Sequence, residues 1–152
     1  MIEIKKSITA DTRTCDVSKV SKEELLSSSR QHIVDVAMAM SFFSAKLFEA
    51  AAQHDYDKLT DIDWLHSDFK TGFKETGWWA NHRRIHRHHL GQEDGIPLDV
   101  NLIDVLEFIA DCTMAGMARS GSVYPLVLSD EVLRAAFDNT QTLLKNEVKV
   151  VE

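Results

Sequence analysis

With 152 residues, 44% of them hydrophobic and 27% charged, the chain suits one domain with its own core and lacks the composition of a disordered protein. Its 17 basic residues are outnumbered by 24 acidic ones, and the formal net charge of −7 argues against a dedicated duplex-DNA binder. Cys15 and Cys112, far apart, offer neither a disulfide framework nor a thiolate zinc site and suit a reducing cytoplasm. MIEIKKSI is too short and too charged for a signal peptide, and the apolar stretch at 33–40 is broken by Asp35 and too short for a bilayer, so a cytoplasmic protein without a membrane partner is expected.

Residues 1–5 alternate apolar and polar, which predicts a short strand, and TADTRTCD reads as a polar loop. Ser21 begins S-K-E-E, a capping box with Glu24, and opens a helix through Leu25, His32, Val36, Met40, Phe43, Leu47 and Ala51, with one break expected near Ser27–Ser29. No Pro or Gly interrupts this stretch before His54-Asp55. A turn, a second helix through Ile62, Leu65, Phe69 and Phe73, and a third from Trp78 to Leu90 follow, with Gly72 and Gly77 weakening the join. Gly91 to Pro97 is a loop, Asp99 to Met117 is helical, and Gly121 and Pro125 mark another loop. Ser129 or Asp130 caps a last helix through Leu133, Phe137 and Leu144, and Val148–Val151 alternates weakly enough to pair with the N-terminal strand. The expectation is a mainly α, compact helical bundle forming one domain over 1–152, with a small two-stranded sheet from the N- and C-termini.

The histidines carry the chemistry. His32 lies on the long helix and His54-Asp55 at its end, while His82, His86, His88 and His89 are clustered. On a regular helix the offsets of four and seven residues put His82, His86 and His89 on one face and leave His88 off it; a helix ending at the histidine pair would turn both inward. Asp111 sits in the apolar run Phe108–Cys112, where an unpaired carboxylate is costly and a ligand or an arginine partner is needed. Imidazole and carboxylate suit one or two divalent ions such as Mn, Fe, Co, Ni or Zn, and Asp55 is the natural bridge between two. A solvated basic face remains open for NHRRIHRHHL, and surface ion pairs for Lys58 and the arginines. Asp35 is placed to orient His32. His86 is expected at the periphery, His66 in a structural role, Asp104 and Glu107 in solvent, and Trp78-Trp79 and Phe42-Phe43 in the core.

His54-Asp55-Tyr56-Asp57-Lys58-Leu59, with His32 upstream and Ile109-Ala110-Asp111 downstream, resembles the signature of the HD-domain metal phosphohydrolases. The span from His32 to Arg119 carries that likeness, and His82 with His88-His89 is similar to the extra histidines of dinuclear members. Gly95-Ile96-Pro97 stands where cyclic-dinucleotide phosphodiesterases of this superfamily have Gly-Tyr-Pro, and the gap from His82 to the histidine pair is short, so that reaction is not expected. N-H-R, R-H-H-L, D-V-N-L-I-D-V-L-E and M-A-G-M-A-R-S-G also resemble a family of small phage-encoded proteins without an assigned activity, which would place the chain in a host cytoplasm.

The resemblance implies an HD-like helical fold and hydrolysis of a small phosphate ester such as a nucleotide by a metal-activated water. His32, His54, Asp55 and Asp111 would hold the principal ion, and His82 with His88 or His89 a second. Asp55 and Lys58 would be catalytic, and Lys58, Arg83, Arg87 and Arg119 would meet the phosphate. The alternative is a non-enzymatic, metal-containing phage protein that binds a nucleotide or a host protein. A homo-oligomer is left open.

Overall fold

The computed structural model describes residues 1–152 and is mainly helical. Strand β1 (Ile2–Lys5) pairs in parallel with β2 (Val148–Val151), Ile2 opposite Val148 and Lys5 opposite Val151, so the sheet of the two termini expected from their alternation is present. Between them lie α1 (Lys22–Gln53), α2 (Asp57–Thr60), α3 (Ile62–Lys70), α4 (Trp78–Ile85), α5 (Leu102–Ser120) and α6 (Asp130–Glu147), with short 3₁₀ turns at Val17–Lys19 and Glu93–Gly95. No helix is long and apolar enough to cross a membrane. Packing divides the chain into two units, Met1–Ala45 with Gln141–Glu152, and Lys46–Thr140.

In the first unit the Ser21 backbone N–H and hydroxyl donate to Glu24, and the Glu24 N–H returns a bond to Ser21 Oγ, the capping box that starts α1. The break expected near Ser27–Ser29 is absent. Ser29 Oγ donates to the Leu25 carbonyl and Ser28 bonds Ser7 and Thr9, so these hydroxyls are satisfied without opening the helix.

In the second unit Leu90, Val100, Val105, Phe108 and Ala136 form the core, with Leu102, Cys112, Leu126 and Val132 against it. Two buried carboxylates set the frame for the histidines. Asp68 on α3 is fully buried and accepts the N–H groups of Thr76 and Trp79, which fixes the 71–77 loop and the first turn of α4. Burial opposes its charge, but these backbone donors hold its pKa below the ordinary carboxylate range. Asp104, one turn into α5, accepts the Asn101 N–H in a capping box and takes a bidentate fork from Arg87 at 2.8 and 2.9 Å. Arg87 thereby ties the turn after α4 to the start of α5. Asp104 is buried in this pairing and is not the exposed acid that its sequence suggests.

The helix predicted over Trp78–Leu90 ends at Ile85. His86 is extended, with φ −99° and ψ 121°, and its N–H closes the last turn on the His82 carbonyl. The turns that follow are held by Arg87 on one side and by the Glu93–Gly95 turn on the other. A Cβ on Gly95 would fall 2.2 Å from the His89 carbonyl oxygen, so only glycine lets the loop lie this close to the histidines.

Candidate metal centre

Asp55 is the centre of the cluster. It follows the end of α1 with φ 51°, a left-handed conformation that a non-glycine residue holds at some cost and aspartate tolerates better than most. Three imidazoles from different segments face its carboxylate. His54 Nε2 lies 3.4 Å from one oxygen, and His82 Nε2 and His88 Nε2 each lie 3.4 Å from the other. Lys58, one turn on, contacts Asp55 directly. Asp111 Oδ1 is 3.8 Å from His54 Nε2, and its Oδ2 is 4.0 Å from His88 Nε2.

The far sides of the rings are anchored by two further carboxylates. Glu107 Oε1 is 2.9 Å from His54 Nδ1 and 2.9 Å from His88 Nδ1. Both oxygens of Asp57 lie 2.9 Å from His82 Nδ1, and one is 2.8 Å from His86 Nε2. A proton on Nδ1 satisfies these anchors for His54 and His82 and leaves Nε2 as a lone pair facing Asp55, while His88 Nδ1 is close to Glu107 without a directed hydrogen bond. The Asp55 oxygen facing His82 and His88, and the Nε2 atoms of both rings, are buried and have no hydrogen-bond partner.

A lone pair directed at a carboxylate oxygen is repulsive unless a proton or a metal cation lies between them. The spacing agrees with that reading. Nitrogen and oxygen ligands at ordinary metal–ligand distances of about 2.0–2.1 Å subtend a tetrahedral edge of about 3.3–3.4 Å, whereas a good N–H···O bond is shorter. Two groups of donor atoms meet the proximity a metal ion needs, His54 with Asp55 and His88, and Asp55 with His82 and His86; each group's atoms lie within 4.8 Å of one another. These buried groups could hold metal ions, and Asp55 belongs to both, as expected of a bridging carboxylate.

Charge and burial act on the same groups. Burial works against the Asp55 carboxylate, yet His88 and Lys58 hold its pKa well below the usual range. Asp57 and Glu107 are likewise held down, against burial, by their histidine partners. Burial would lower His88, but Asp55 and Glu107 outweigh it and raise its pKa to about 9. His82 packs against Trp78 and Trp79, with ring centroids at 4.6 and 5.3 Å, and burial lowers its pKa despite Asp57.

Of the residues singled out from sequence, His54, Asp55, Lys58, His82, His88 and Asp111 come together, and all lie in the Lys46–Thr140 unit. His32 does not join them. It sits on the part of α1 that belongs to the other unit and is in neither donor group. Asp35 bonds Gln31 rather than orienting His32. His89 packs against His82 and His88, with ring centroids at 4.6 and 4.3 Å, but belongs to neither donor group, and burial lowers its pKa to about 3. Arg83 is paired with Asp94, and Arg87 with Asp99 and Asp104. His66 is exposed.

Three site residues escaped the sequence reading. His86 is buried in the cluster because α4 stops one residue before it. Asp57 lies only two residues beyond Asp55, and its signal was that proximity. Glu107 precedes Asp111 by one helical turn on α5, the i,i+4 spacing that puts both on one face.

Beside this cluster α1 and α5 line an open cleft of about 600 Å³. Leu47, Ala50, Leu106 and Met114 give it apolar walls, His54, Glu107 and Asp111 lie along it, and Arg119 closes the set. Its volume is in the range of small-molecule pockets. No family model, no curated protein and no solved structure matches the chain.

Proposed function

We propose that this chain is a metal-dependent phosphohydrolase acting on a small phosphate ester, with the HD-like signature around His54-Asp55 as its metal centre. The observation that carries the reading is the convergence of the His54, His82 and His88 Nε2 atoms on Asp55 at 3.4 Å, beside a cleft that also presents Asp111 and Arg119. His54, Asp55 and His88, with Asp111 at the edge, would hold the ion that faces the cleft. His82 and His86 would hold a second on the enclosed side of Asp55. Divalent ions such as Mn or Fe supply Lewis acidity, which makes water a competent nucleophile near neutral pH and polarises a phosphoryl oxygen.

The protein's own groups do the rest. Glu107 and Asp57 fix the imidazole tautomers and keep the Nε2 lone pairs directed inward. Lys58 offsets the charge of Asp55 on its outer side. Arg119 offers a guanidinium fork for phosphoryl oxygens, and the apolar walls bury the body of the ester and limit water beside it.

The experiment is turnover by the Mn- or Fe-loaded full chain on p-nitrophenyl phosphate and a panel of nucleotides. Hydrolysis is expected, and Arg119→Ala should raise KM about 10- to 100-fold, the weight of a charge-assisted hydrogen bond to phosphate, with a smaller change in kcat. A metal-loaded protein that turns over none of these esters would overturn the catalytic reading while leaving the ion site intact.

A further inference from the structure

The N-terminal half of α1 has its apolar residues in solvent. Leu26, Ile33 and Met40 recur every seven residues, and Ser29, Val36 and Phe43 repeat three residues after each of them. Ile33 is 67% exposed and Met40 62% exposed, Leu26 and Val36 are about half exposed, and Phe43 is half-buried. A spacing alternating three and four residues is the seam of a helix that packs along another helix, because it keeps the same stripe facing the partner over several turns. The only buried residue of α1 is Ser28, off this stripe.

The repeat also indicates which helix covers it. A closed two-fold contact uses the same patch on both copies, so the stripe has to fit itself. Laid antiparallel about the midpoint between Val34 and Asp35, it does. Ile33 of one copy falls level with Val36 of the other, Leu26 with Phe43, and the small Ser29 with the long Met40. A parallel pair would instead set Ser29 against Ser29 and Met40 against Met40, alternating a gap with a crowded layer and aligning the helix dipoles. Ser29 is ready for burial, because its hydroxyl already donates to the Leu25 carbonyl.

We propose that α1 is a self-association seam, through which two copies of this chain pair antiparallel along Leu26–Phe43. The inference does not depend on the metal centre.

Sedimentation velocity on the full chain tests it, with covalent trapping to fix the orientation. The wild type should sediment at twice the chain mass at tens of micromolar. Ile33→Glu with Met40→Glu should give a monomer with unchanged far-ultraviolet circular dichroism. With Cys15→Ser and Cys112→Ser as background, Ser29→Cys plus Met40→Cys should form an interchain disulfide under mild oxidation, and neither cysteine alone should. Antiparallel copies hold like residues at 29 about 16 Å apart in level, beyond a disulfide's reach. A monomeric wild type, a double-glutamate variant that stays dimeric, or trapping by Ser29→Cys alone would each overturn the proposal. If the double-glutamate variant fails to fold, the cysteine arm decides.

Discussion

The surroundings of Asp55 and the N-terminal half of α1 invert the usual distribution of side chains in opposite senses. Around Asp55, carboxylates and imidazoles are buried together, with Asp57 and His82 wholly removed from water. Along α1, Ile33 and Met40 stand in water at positions that a helix ordinarily packs. Buried charge is costly unless paired or ligated, and exposed apolar stripes gain by being covered, so both arrangements invite a partner. The first region could hold a cation, and the second suits the helix partner proposed for it. The lesson is that an inverted region is as informative about a partner as a conventional one is about a core.

Substitutions around Asp55 sharpen this contrast because they should have graded consequences. Asp55→Ala removes the one residue shared by both donor groups, so isothermal titration with Mn should show a loss of more than about 100-fold in affinity, exceeding what removal of an orienting carboxylate costs. Asp57→Asn and Glu107→Gln leave every Nε2 in place but loosen the tautomer anchors, and each should cost about 10- to 100-fold. Equal effects for all three would mean that Asp55 is not the shared centre. Arg87→Ala acts on the frame rather than on the donors. It strips Asp104 of its fork while leaving the Asn101 N–H bond, and because Arg87 is itself partly exposed the cost is expected at about 1–3 kcal/mol in urea unfolding. A larger loss of metal affinity than of stability in Arg87→Ala would reassign that arginine to the site.

The sequence made parts of both regions legible. His54-Asp55 at a helix end, Asp111 within an apolar run and the alternation at both termini were local signals, and each depends only on near neighbours. His82 was found for the same reason, since it lies inside the part of α4 that is helical. Helical azimuths put His86 on the face of His82 and left His88 off it, and because the helix stops at Ile85 both reach the cluster. What ends the helix there is tertiary, the pull of Asp57 on His86 and of Asp104 on Arg87, and no window of sequence contains it. His32 failed in the opposite way. The likeness to a known signature called for an upstream histidine, but His32 falls in the other unit and in neither donor group. Asp104 and Glu107 read as solvent-facing because helical acids usually are, and only the arrival of Arg87 and the two imidazoles from elsewhere in the chain changes that.

The most direct test of the central claim is the metal content of the wild-type protein, measured by plasma mass spectrometry after expression with Mn, Fe, Co, Ni and Zn supplied and after gel filtration. One or two divalent ions per chain are predicted, removable by a chelator and absent from Asp55→Ala. A folded wild-type protein that carries no ion and takes up none on titration would contradict the account.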